Sequence, residues 1–152
     1  MPVNIFISYD HDDAAQVGGF KGLIKNPNHD LDAHDHSLPE AVVDPKTAKA
    51  IKVPPSDPRA EPVKKEILRR FRNCSRLVVL IGDDTHSSLW VAWEIEQFHK
   101  LKDTSEQDAA LRIRGMRLKG SKGGDPAALK GRSQPTLAWD PDALDAWLDE
   151  PL

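Results

Sequence analysis

At 152 residues with a formal net charge of −3, the chain is sized for one domain, over residues 1–152, and has no basic field to attract nucleic acid. Its one cysteine, Cys74, rules out a disulfide framework and fits a reducing cytoplasm. No apolar run approaches the ~20 residues that cross a bilayer, and no basic stretch leads into an apolar one at the N-terminus, so neither a membrane partner nor a secretory signal is expected.

The first element is Val3 to Tyr9, an almost continuous apolar run of the kind buried on both faces of a parallel sheet. Asp10-His11-Asp12-Asp13 then offers N-caps for a helix to about Ile24, with Val17, Phe20, Leu23 and Ile24 inward. Gly18-Gly19 weakens that helix by ~1 kcal/mol per glycine, so part of it is expected to be irregular. Leu31 to Leu38 alternates and is polar, which places it at a sheet edge. Pro39 to Pro58, rich in proline and lysine, reads as a long mobile loop. Asp57-Pro58 or Glu61-Pro62 starts a helix, because proline suits its first position; Val63, Ile67, Leu68, Phe71 and Cys74 form its apolar face.

Leu77 to Ile81 is a second buried strand, followed by Gly82 and a helix over Leu89 to Lys102 that Ser87 or Ser88 can cap. Val91, Ile95 and Phe98 make its inward stripe, with Leu101 at the edge. Glu94 borders that stripe between Trp90 and Phe98: burial there would raise its pKa and suit it to catalysis, whereas outward placement would leave a solvated helix residue. Trp93 projects ~200° from Val91 and marks an interaction surface unless a neighbouring element covers it. Leu111 to Leu118 alternates apolar and basic residues as a half-exposed strand does, Lys119 to Gly131 reads as a mobile loop, and Thr136 to Trp139 is a last strand. Asp140 caps a final helix with Leu144, Trp147 and Leu148. Strands alternating with helices imply right-handed crossovers and a parallel sheet covered on both faces.

Two further clusters invite chemistry. Asp32, His34 and His36 share one face of an extended segment, but no fourth ligand has suitable spacing, so no metal is expected. Asp10, Asp12 and Asp13 with Asp83 or Asp84 suggest a phospho-acceptor pocket, yet the fifth strand supplies no lysine to pair with phosphate.

Val3-Asn4-Ile5-Phe6-Ile7-Ser8-Tyr9 resembles the first strand of a TIR domain. Trp90 to Glu94 is similar to the TIR motif Trp-Cys-x-x-Glu, whose glutamate is catalytic in NAD-cleaving members; Val91 stands in place of the cysteine, so that part of the chemistry is not implied. The likeness is most complete to the TIR-like family that includes the sensor subunit of the Thoeris anti-phage system, through Ser8-Tyr9, Asp35-His36-Ser37 and Thr85 to Ile95. It continues through Ile113-Arg114-Gly115-Met116 to Trp139-Asp140 and Trp147, and so spans nearly the whole chain.

The resemblance implies an α/β, flavodoxin-like and TIR-like fold: a doubly wound five-stranded parallel sheet of order 2-1-3-4-5. It implies an enzyme of NAD glycohydrolase or ADP-ribosyl cyclase type, with NAD as substrate rather than cofactor. Glu94 would be catalytic, with Ser8, Tyr9, Asp10, Asp35, Ser37, Thr85 and Trp90 around the substrate. For Asp35 and Ser37 a simple turn role is the stronger reading, and Tyr9 serves equally well as a rim aromatic. A second copy of the chain or a phage-derived trigger is the expected partner. The alternative is a TIR-like interaction or sensor module without catalysis.

Overall fold

The computed structural model describes residues 3–10, 13–25, 33–35 and 53–151. Five strands are all parallel: β1 (Val3–Ser8), β2 (Ala33–Asp35), β3 (Arg76–Ile81), β4 (Ile113–Arg117) and β5 (Gln134–Leu137), hydrogen-bonded in the order β2-β1-β3-β4-β5. Four α-helices connect or follow them: α1 (Ala14–Lys25), α2 (Glu61–Phe71), α3 (Leu89–Lys102) and α4 (Pro141–Leu148). β3 has all six residues buried, the five apolar ones as expected of a central strand and Arg76 at its start as well.

Two apolar layers flank the sheet. Phe6, Leu77, Val79 and Ile81 point to one face, where Ile67 and Phe71 of α2 and Val91, Ile95 and Phe98 of α3 cover them. Ile5, Ile7, Val78 and Leu80 point to the other, against Val17 and Phe20 of α1 and Leu144 and Trp147 of α4. The period-two alternation of the strand thus sorts neighbouring residues into different layers. Within the first layer Phe71 meets Phe6 and Phe98 edge-on, with ring centroids 4.8 and 5.3 Å apart.

Several expectations are corrected. α1 is regular through Gly18-Gly19, because both glycines lie on its exposed side while Val17 and Phe20 dock on the sheet. The side chains of Leu23 and Ile24 lie outside the described residues. Strand β4 begins only at Ile113, since Ala109–Arg112 closes as a short 3₁₀ turn whose N-terminus is capped by Asp108. The Asp57 and Glu61 starts both occur: Asp57 caps a 3₁₀ turn over Pro58–Ala60 that runs directly into α2. Most of the Pro39 to Pro58 loop, residues 39–52, lies outside the described residues.

Candidate functional site

β1 and β3 are neighbours, but the chain leaves them toward opposite faces, into α1 and α3 respectively. The carboxyl ends of two such strands open a crevice, where α/β folds bind ligands. Ser8 ends β1 and is buried, on the same side as Phe6. Glu94 comes to it from α3, whose register is set by Ser88: its hydroxyl accepts the Val91 amide at 3.3 Å. The Ser8 hydroxyl donates to Glu94 Oε1 at 3.2 Å, and Glu94 is only 7% exposed.

Desolvation pushes the Glu94 carboxyl up to about 8, opposed by the Ser8 hydrogen bond, which favours the anion. No cation pairs with it among the described residues. Glu94 is therefore a buried acid poised to change charge near neutral pH, beside the carboxyl end of β1. Perturbed acids in such places are functional candidates.

The β3–α3 turn is fixed by its own contacts at the carboxyl end of β3. The Gly82 amide donates to Thr85 Oγ1 at 2.8 Å, and the Thr85 hydroxyl donates to Asp13 Oδ2 at 3.4 Å. A Cβ on Gly82 would run into the Asp13 carboxylate, so glycine is required for this approach. Thr85, expected beside the substrate, is fully buried and latches the end of β3 to the segment after β1.

The stretch expected as a mobile loop, Lys119 to Gly131, is instead fastened to the same edge. The Lys122 amide donates to Asp83 Oδ1 at 2.8 Å, and Gly123 packs so closely on the Gly82 and Asp83 carbonyls that a Cβ would collide with them. Arg117 donates to the Gly123 carbonyl and pairs with Asp125 at 2.7 Å, while Asp125 accepts from Thr136 at 2.9 Å. Ala128 and Leu129 then plug into the core. Composition suggested mobility; specific side chains remove it.

The other expected site residues divide. Trp90 packs against the first layer, contacts Trp93 edge-on at 5.6 Å and donates its indole N–H to the Val53 carbonyl at 2.8 Å. Tyr9, following Ser8, falls on the opposite side of the sheet, half-buried against the second layer with the Lys21 ammonium 5.4 Å from its ring centre. Asp10 is half-buried, and its carbonyl accepts the Asp13 amide at 2.9 Å. Asp35 ends β2 opposite Ile5 of β1, while Ser37, Asp32 and His36 lie outside the described residues. No cluster of three metal-ligating side chains occurs among the described residues.

Of the acidic cluster, Asp12 lies outside the described residues; among the described ones Asp13 is engaged by Thr85, Asp83 by Lys122, and Asp84 is exposed. Trp93 is only half-exposed, covered by Trp90 and the Lys64 ammonium; Leu89 and Leu101 are the exposed large apolar residues of that helix. Sequence reasoning missed the Arg117–Asp125–Thr136 clasp, since spacing does not reveal contacts across strands, and the close Gly82–Gly123 approach, for which the isolated glycines were the available signal.

Residues 6–122 match the family model described as Thoeris protein ThsB, TIR-like domain. The match covers most of the chain and includes Ser8, Thr85, Trp90 and Glu94, and the chain belongs to this family. A comparison with curated proteins finds no match.

Proposed function

We propose that this TIR-like protein cleaves the N-glycosidic bond of NAD and makes an ADP-ribose-derived signal, a cyclic one, in anti-phage defence. The observation that carries the reading is the buried Glu94–Ser8 pair beside the carboxyl end of β1. In the reaction the ribosyl–nicotinamide bond breaks, its electron pair leaves with neutral nicotinamide, and the ribosyl carbon passes through an oxocarbenium-like state. A carboxylate fixed beside that carbon stabilises the developing charge.

A free carboxyl with a pKa of about 8 is mostly protonated at neutral pH. The nicotinamide ring of NAD is a cation, and placing it beside Glu94 favours the carboxylate. Binding and deprotonation are then coupled, and the acid becomes an anion only when there is a positive substrate to stabilise. An adenine nitrogen of the same molecule attacks the ribosyl carbon to give the cyclic product; water gives linear ADP-ribose. The protein is proposed to act in the cytoplasm, with a second copy or a phage-derived trigger as partner; no described helix is long and apolar enough to cross a membrane.

One observation favours a second reading, a TIR-like interaction module without catalysis. A neutral Glu94 bonded to Ser8 is also how a fold accommodates a buried acid with no chemical duty. Mass spectrometry after incubation with NAD, alone and in lysate of infected cells, separates the two. Release of nicotinamide that Glu94→Gln abolishes supports the enzyme; none in either setting supports the module.

A further inference from the structure

The opposite, amino-terminal edge of the sheet holds a second feature that the crevice chemistry does not use. A cleft of about 620 Å³ lies between the start of β3 and the ends of α2, α3 and α4, with Arg72, Arg76, Lys102 and Arg112 in its wall. Among the described residues Glu150 is the one acidic residue lining it, with Asp149 close enough to act on Arg76.

The cations are not equivalent. Arg76 is 2% exposed; its two terminal nitrogens donate to the Trp147 and Glu150 carbonyls, and its Nε finds no acceptor among the described residues. Arg112 spends one N–H on the Ser75 carbonyl, at 3.1 Å. Lys102 makes no hydrogen bond among the described residues; desolvation, reinforced by Arg112, holds its ammonium below the usual lysine value. Arg72 and Lys102 follow or end helices, where cations offset the helix dipole, and that alone accounts for them. It does not account for a buried guanidinium with an unsatisfied N–H, or for Arg112 gathered beside it. The Arg76 Nε is too enclosed for a ligand to touch, and the half-exposed Lys102 and Arg112 are cations open to the cleft.

We propose that this amino-edge cleft binds a small phosphorylated anion. A phosphoryl group carries more than one negative charge and several acceptor oxygens, which suits clustered guanidinium and ammonium donors. The cations are bordered by Val3, Cys74 and Leu148, so the ligand is a phosphate joined to an organic group. The site lies at the end of the sheet opposite Glu94 and does not depend on what Glu94 does.

Titration of the full chain with inorganic pyrophosphate at low ionic strength, followed by amide ¹⁵N–¹H spectra, tests this directly. Saturable shifts concentrated at Val3, Asn4, Ser75, Lys102 and Arg112 are expected. The double variant Lys102→Gln/Arg112→Gln should weaken binding at least about tenfold, through loss of two charge-assisted contacts. A charge-matched control, Lys65→Gln/Lys130→Gln, alters exposed residues that do not line the cleft and should bind as the parent does. If the double variant loses spectral dispersion, the single Lys102→Gln variant carries the comparison, because that ammonium has no hydrogen bond to lose. Absence of saturable shifts, or equal weakening in the control, overturns the proposal; the latter would indicate general charge attraction.

Discussion

The two ends of the sheet each bury a charge-bearing side chain, and they do so by opposite means. At the carboxyl end Glu94 keeps one hydrogen bond, from Ser8, and desolvation pushes it toward its neutral form. At the amino end Arg76 cannot shed its proton, so the fold surrounds it with carbonyls from the end of α4. A titratable group can escape the cost of burial by changing charge, and a guanidinium cannot. Burial therefore creates a switchable acid at one edge and a permanent cation at the other. The first suits chemistry in which charge appears and vanishes; the second suits holding structure and attracting an anion.

The largest expected effect tests the acid. Glu94→Gln should keep the fold, since the amide is isosteric and can still bond Ser8, and should lower NAD cleavage by about 10²–10³-fold or more. Glu96, exposed on the same helix, is the internal control, and Glu96→Gln should be nearly silent. Nicotinamide release under activating conditions reads the difference. Equal rates for the two variants would leave Glu94 a structural acid and remove the functional half of the contrast.

Arg76→Gln tests the other edge through stability. It withdraws both donors from the Trp147 and Glu150 carbonyls and loosens α4, whose Trp147 ring lies 4.7 Å from the guanidinium carbon. A loss of about 3 kcal/mol in denaturant unfolding is expected, as for other buried charged hydrogen bonds. A change below about 0.5 kcal/mol would show that the carbonyls are satisfied by water and the arginine is not structural.

The contrast also has a pH signature. The Glu94 carboxyl rises from 4.5 to about 8 on folding, so the folded state holds this proton more tightly than the unfolded one. Its contribution is most favourable below pH 4.5 and declines as pH rises toward 8, by up to about 1.4 kcal/mol per pH unit, then levels off. Glu94→Gln should flatten stability across that window and be the more stable form at its alkaline end. Parallel curves for the two proteins in urea unfolding at pH 5 to 8 would mean that water reaches the carboxyl and the switch does not exist.

How far these features were legible in the sequence differs between core and site. The α/β class and the parallel sheet follow from short apolar runs alternating with helical stripes, and α3 with its Ser88 cap could be read almost to the residue. Glu94 could be singled out by its place between Trp90 and Phe98, but spacing alone favoured a solvated residue over a buried one. What decides is Ser8, 86 positions earlier, and no local pattern encodes that pairing. Tyr9 shows the converse. It adjoins Ser8 in sequence, yet strand alternation sends it to the other layer. The Lys119 to Gly131 segment was misread because glycine and lysine content reports chain freedom before tertiary contacts, and Arg117, Asp125 and Asp83 supply those contacts from elsewhere.

Ser8→Ala gives the smallest effect and the finest distinction. Its hydroxyl favours the carboxylate form of Glu94, so removing it should move the acid further up and shift the pH–activity profile to higher pH, by less than about one unit. Stability should fall by about 1 kcal/mol, the usual contribution of one buried hydrogen bond. At neutral pH cleavage should drop a few-fold and recover as pH is raised, because the acid survives and needs only a more alkaline medium to ionise. Ser8→Thr, which keeps the hydroxyl, should retain the parent profile if the added methyl fits against Phe6. A profile unmoved in pH but lowered at every pH would place Ser8 in direct contact with substrate. The switch at Glu94 would then be set by desolvation alone, and the hydrogen bond between these two residues would be a consequence of their packing rather than the means of tuning the acid.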